Sequence, residues 1–118
     1  MGTEMLKKSF GSADQAQDVP QGRVELVTVN GTEVWRLILE PGWTWQASMG
    51  TESCPAHHAV FVPLSGRLAV KMADGTIEEF GPGDVGDIPP DHDAWVVGDE
   101  TFVAVDIQGH SLARNAAA

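Results

Sequence analysis

Turn-forming residues punctuate this chain at short intervals, and that spacing limits what it can fold into. Asn30-Gly31, Pro41-Gly42, Ser65-Gly66, Asp74-Gly75, Gly81-Pro82-Gly83-Asp84, Pro89-Pro90-Asp91 and Gly98-Asp99-Glu100 leave pieces of four to nine residues, too short for an ordinary helix, except at 43–64 and at the two ends. Within the pieces, apolar residues recur at every second position. Trp35, Leu37 and Leu39 fall on one face and Val34, Arg36 and Ile38 on the other; Leu68, Val70 and Met72 likewise oppose Arg67, Ala69 and Lys71. Strands are predicted over residues 23–29, 33–40, 58–64, 67–72, 76–80, 85–88, 94–97 and 101–107, with a short aromatic strand over 43–47. Pro63 marks a bulge or an edge position in its strand. Eight or nine short strands, turn signals every 8–12 residues and no convincing helix predict an all-β fold, an antiparallel sandwich or barrel.

The 118 residues make one domain. Residues 1–22, mixed Ser, Ala, Gln and Asp, read as an N-terminal arm with Leu6 and Phe10 as its anchors. Residues 23–108 form the barrel. Residues 109–118 form a tail, helical turn or disordered, that holds a surface His110. A domain this small buries only about two-thirds of its unfolded surface, so pairing with a second copy would stabilise it.

A net charge of −10 argues against nucleic acid and anionic membrane as partners, since both need basic surface. Ten carboxylates and no Lys or Arg lie between Asp74 and Asp106. They read as a solubilising face or, alternatively, as a surface for a cation or a basic partner. The single cysteine, Cys54, rules out an internal disulfide and suggests a reducing compartment. With no apolar signal segment and no membrane-length apolar run, the expected location is cytoplasmic.

Two histidine-bearing segments flank a hairpin: Cys54-Pro55-Ala56-His57-His58 through Leu64-Ser65-Gly66, and Gly81-Pro82-Gly83-Asp84 through Ile88-Pro89-Pro90-Asp91-His92. With the strand order, this arrangement resembles the cupin family over residues 40–107. The resemblance implies a double-stranded β-helix barrel, commonly homodimeric, with a divalent metal held by two histidines and a glutamate from the first motif and a histidine from the second. Counted back from Gly66, the two histidine positions hold Ser53 and Pro55 and the glutamate position holds Ala59. The second-motif histidine position holds Ala94, and Asp91 replaces the usual glycine. A one-residue bulge at Pro63 would carry His58 into the glutamate position, and a loop two residues shorter would bring His92 into place.

The expected metal ligands are therefore His92 with His58 or His57, with Cys54, Glu52 or Asp93 as a further donor. Imidazole with such a partner suits zinc, iron, nickel or manganese. Without a metal, His58 and His92 are candidate acid/base groups, being near their pKa at neutrality. Cys54 is either an inert thiol, a metal ligand or a nucleophile activated by a neighbouring histidine. Trp43, Trp45 and Trp95, with Phe61, are expected to wall a pocket for a small-molecule ligand. The function these features imply is a small-molecule enzyme of isomerase, lyase, dehydratase or oxygenase type. The alternative is a non-catalytic ligand-binding or sensory cupin.

Overall fold

The computed structural model describes residues 4–108, so the expectations for residues 109–118, His110 among them, lie outside the described residues. Among the described residues, nine antiparallel strands form two sheets. The six-stranded sheet runs in the order β1 (Gln15–Val19), β2 (Gly22–Val29), β3 (Thr32–Leu39), β9 (Phe102–Gln108), β4 (His58–Ser65), β7 (Gly86–Ile88). The three-stranded sheet is β6 (Ile77–Phe80), β5 (Leu68–Met72), β8 (His92–Val96). The all-β reading holds, and the turns fall where glycine and asparagine allow positive φ. Gly66, at φ +73°, also sits where a Cβ would come within 2.6 Å of the Thr101 carbonyl oxygen.

Two segments differ from the sequence reading. The arm is not merely an arm: β1 lies within it and pairs with β2 from Gln15↔Leu26 to Val19↔Gly22. Its first four residues are exposed, so it has no core face and shows no apolar alternation. Phe10, in a short 3-10 turn, lies under the Arg36 guanidinium, 4.8 Å from ring centroid to Cζ. The second difference is at residues 43–47, where the aromatic strand is replaced by a short helix, α1 (Trp45–Met49). Thr44 caps its start by accepting from the Ala47 N–H at 3.1 Å, and Gly50 ends it at φ +80°.

Cross-strand register sorts the large sheet into two faces. Leu37↔Ala104, Leu39↔Phe102 and Phe61↔Asp106 point inward. With Leu68, Val70, Ile88, Ala94 and Val96 of the other strands, they enclose the core. Phe61 and Phe102 stack at 6.0 Å between ring centroids, and Phe80 meets Phe61 edge-on at 5.9 Å. The outer face carries Val34, Ile38, Val60, Val62, Val103, Val105 and Ile107, half-buried or exposed. On that face Glu25, buried on β2, is clasped by Arg36 at 2.7 Å and Arg23 at 3.0 Å.

Candidate metal centre

His58 reaches the interior through an irregularity in its strand. In a regular strand, residues three apart point to opposite faces, so His58 would point away from the face that holds Phe61. The β4–β7 register shifts by one between His58↔Ile88 and Phe61↔Gly86. This bulge turns both side chains inward, and their rings lie 5.9 Å apart. A second shift, between Pro63 and Ser65 against β9, is the bulge expected at Pro63. Adjacent to His58 but on the other side, His57 is half-exposed and pairs through Nε2 with Asp87 at 2.7 Å. The structure thus keeps His57 out of the group that the expected ligand set gave it.

His92 opens β8 and shares its inward face with Ala94 and Val96. Asp91, in place of the family's glycine, holds φ +68°, a left-handed conformation that Asp tolerates. The same alternation turns Trp95 away from the interior, so Trp95 does not line the pocket as expected. Cys54 lies beside β8 in an isolated bridge, with its N–H donating to the His92 carbonyl at 2.6 Å and its carbonyl accepting from Asp91 at 2.7 Å. This pairing places the buried thiol next to His92.

Cys54, His58 and His92 each offer a donor atom, and these atoms lie within 4.8 Å of one another. Both imidazoles have one nitrogen committed. His58 Nδ1 donates to Asp106 Oδ2 at 2.5 Å, and His92 Nδ1 donates to the Pro89 carbonyl at 2.7 Å. Each Nε2 is left as the candidate donor; that of His58 is 4.0 Å from Cys54 Sγ. Such outer partners fix the ring and its tautomer in metal sites. Donors around a four-coordinate zinc sit roughly 3.3–3.8 Å apart, so a small side-chain adjustment would close this group on an ion. The group can hold a metal. Glu52 and Asp93 lie outside it; Asp93 accepts from the Ala94 N–H at 2.8 Å.

Sequence reasoning missed Asp106. It is 4% exposed, and its other oxygen accepts from Gln108 Nε2 at 3.1 Å. A carboxylate on the same alternating face as Phe102 and Ala104 was the available signal. Its charge decides the protonation of the site. Burial works to lower the His58 pKa, but the Asp106 hydrogen bond and the Cys54 contact outweigh it and raise the pKa to about 9. Burial works to raise the Cys54 pKa, and hydrogen bonds from His58, His92 and the Ala56 backbone bring it down to about 6. Both shifts run in the direction that favours the charged pair, a thiolate beside an imidazolium.

Two spaces with shared wall residues adjoin the cluster. An inner cavity of about 100 Å³ is walled by Leu37, Trp43, Trp45, Met49 and Phe61, with Cys54, His58 and His92 at its polar end. A wider mouth of about 490 Å³ is lined by Glu33, Trp35, Ala56, His57 and Gln108 and shares Trp45, Cys54 and His58 with it.

No family model matches the sequence, and no curated protein matches it. Solved structures do match the fold. A cupin-like protein from Thermotoga maritima superposes with TM-score 0.56 at 22% identity, over 92% of this chain and 81% of that one. A protein of unknown function from Rhizobium leguminosarum superposes with TM-score 0.65 at 21% identity, over 89% and 96%. The Bacillus subtilis oxalate decarboxylase, whose Mn(II) centres have been characterised, superposes with TM-score 0.55 at 24% identity over 76% of this chain. The chain spans only 26% of that enzyme's length and 30% of the oxalate decarboxylase of Lactobacillus farciminis. The two sheets, their strand order and these likenesses show that this chain has a cupin-like fold.

Proposed function

We propose that this cupin-like protein is a metal-dependent enzyme acting on a small molecule inside the barrel, with Cys54, His58 and His92 as its three protein ligands. The observation that carries this reading is the paired tethering of the histidines: each Nδ1 is held by an outer acceptor, Asp106 or the Pro89 carbonyl, and each Nε2 is left for the ion. Three ligands leave a coordination position open. A bound divalent metal would there polarise a substrate oxygen or lower the pKa of a water. The thiolate favours zinc or iron over manganese, which suits oxygen donors, and so separates this site from the Mn(II) centres of the bacterial decarboxylase. The reading requires a reduced Cys54, as a cytoplasmic location would provide.

A metal-free reading is favoured by the Cys54–His58–Asp106 chain alone. A thiolate, an imidazolium and an orienting carboxylate in sequence could move a proton without an ion. Metal analysis separates the two readings. Protein purified without added metal should carry one ion per chain, lost in Cys54→Ser, His58→Ala and His92→Ala but kept in His57→Ala. A metal-free wild type that also fails to take up zinc or iron would sink the metalloenzyme and leave the proton-transfer reading.

A homodimer is proposed through the outer face of the large sheet. Val34, Ile107 and Val60 form an apolar row there, with Val105 and Val62 beside it. Sedimentation should give twice the chain mass, and Val105→Glu should shift the species toward monomer. A monomeric wild type at micromolar concentration would refute it.

A further inference from the structure

The inner cavity has an unusual balance of polar groups. Beyond Cys54, His58 and His92, its walls are apolar or aromatic. Among the described residues, no Lys or Arg lines either this cavity or its mouth, whereas Glu33 and Asp106 carry carboxylates at the mouth. A ligand anion would be desolvated there without a cation from the protein, apart from the group that holds the metal, and would face two negative charges. One residue of this cavity's wall carries a further polar atom. Trp43, 5% exposed, has a buried indole Nε1–H with no hydrogen-bond partner among the described residues. A buried donor left unpaired costs roughly 1–3 kcal/mol. Indole donates only, so whatever satisfies it must bring an acceptor.

We infer that the cavity takes a small, uncharged, largely apolar molecule bearing an acceptor oxygen, a ketone, aldehyde, ester or alcohol, which accepts from Trp43 Nε1 while the apolar walls enclose the rest. This substrate class rests on the proposed enzyme reading for its catalytic meaning, but the binding preference does not depend on a metal. It sets the chain apart from an enzyme for small dicarboxylates, despite the shared fold. Trp43 is a positioning and specificity residue here. Its backbone is fixed by bonds to Glu40 and Val96, so the ring is presented at a defined place in the wall.

The test compares three probes of one size: cyclohexanone, methylenecyclohexane (the same ring without the acceptor) and cyclohexanecarboxylate. Each is titrated into metal-free protein while the Trp43 indole N–H resonance is followed by NMR. Cyclohexanone should shift that resonance and bind roughly tenfold tighter than methylenecyclohexane, the size of one recovered hydrogen bond. Cyclohexanecarboxylate should bind more weakly than the ketone. Trp43→Phe, checked for fold by its spectrum, should abolish the ketone's advantage while retaining hydrocarbon binding. Equal binding of ketone and alkene to the wild type, tighter binding of the carboxylate, or no binding of any probe would overturn the inference; the wild-type comparison stands even if the variant does not fold. Zinc uptake, measured separately, reports on the metal reading, so failure of one is distinguishable from failure of the other.

Discussion

Replacing Asp106 by Asn probes the proposed site at its most buried charge. The wild-type carboxylate accepts from His58 Nδ1 at 2.5 Å and is 4% exposed, so solvent does little to screen it. Asn keeps an acceptor but not the negative charge, and this has two opposing effects on metal affinity. The first weakens binding: His58 Nε2 becomes a poorer donor, and losing such an outer partner typically costs 10- to 100-fold in affinity, or about 1.4–2.7 kcal/mol. The second strengthens apparent binding near neutrality. In the wild type, with His58 at about 9, a proton occupies the ligand nitrogen at pH 7 and the metal must displace it. Two pH units of competition amount to roughly 100-fold. The two effects nearly offset each other at pH 7 and are separated by the pH dependence. Wild-type zinc affinity should rise about tenfold per pH unit from 7 to 9 and then level off. Below about pH 6 the slope should steepen, because Cys54 must then also lose its proton. In Asp106→Asn the plateau should begin at a lower pH and lie 10- to 100-fold below the wild-type plateau. Competition with a chromophoric chelator across this range, with circular dichroism to verify the fold, measures both curves. A flat wild-type profile between pH 7 and 9, or coincident plateaus above pH 9, would refute the assignment of His58 as a ligand oriented by Asp106.

Two stability predictions follow from the frame. Gly66→Ala combines a φ of +73° with a Cβ placed 2.6 Å from a backbone oxygen, and should cost about 2 kcal/mol or more in urea denaturation. A loss under 0.5 kcal/mol, the size of an ordinary surface substitution, would show that this turn relaxes freely. Glu25→Gln should cost about 1–2 kcal/mol at pH 7, because Arg36 and Arg23 lose a buried carboxylate partner but remain partly open to water. The Arg36 hydrogen bond leads in lowering the Glu25 pKa against the cost of burial, so this stabilisation is present above the unfolded value near 4.3 and is lost as pH falls through the folded value. Wild type and variant should converge in strongly acidic solution, and a gap that widens on acidification would contradict the pairing.

The parts of this structure legible in the sequence are those with a local physical mark. Leu68 and Val70 of β5, and Leu37 and Leu39 of β3, alternate because they face the core, and Gly66 stands where a side chain would strike backbone. The cap signals of α1, Thr44 and Gly50, were also present, but the aromatic alternation of Trp43 and Trp45 masked them. β1 left no mark, because an edge strand with neither face in the core needs no apolar pattern. The site was half legible. The histidine segments were evident, but choosing His58 over His57 depends on a bulge across Ala59 and Val60, two residues with no turn chemistry of their own. That choice is made by the pairing of β4 with β7, which arises only in the folded sheet. Asp106 was hidden by its neighbours Val105 and Ile107, since a lone carboxylate in an apolar strand reads as solvent-facing until its register is known.

The three donor residues do not come from one layer. His58 belongs to the six-stranded sheet, whereas His92 opens a strand of the three-stranded sheet and Cys54 is hydrogen-bonded to it. An ion shared among them would be a rivet through the sandwich. Separating the layers would then require breaking coordination bonds as well as apolar packing, and at a hundredfold excess of metal over its dissociation constant the folded state would gain about 2.7 kcal/mol. Chelation would act as a mechanical release, loosening the three-stranded sheet first and making barrel breathing, read by hydrogen exchange in β8, a gauge of how much metal the protein holds.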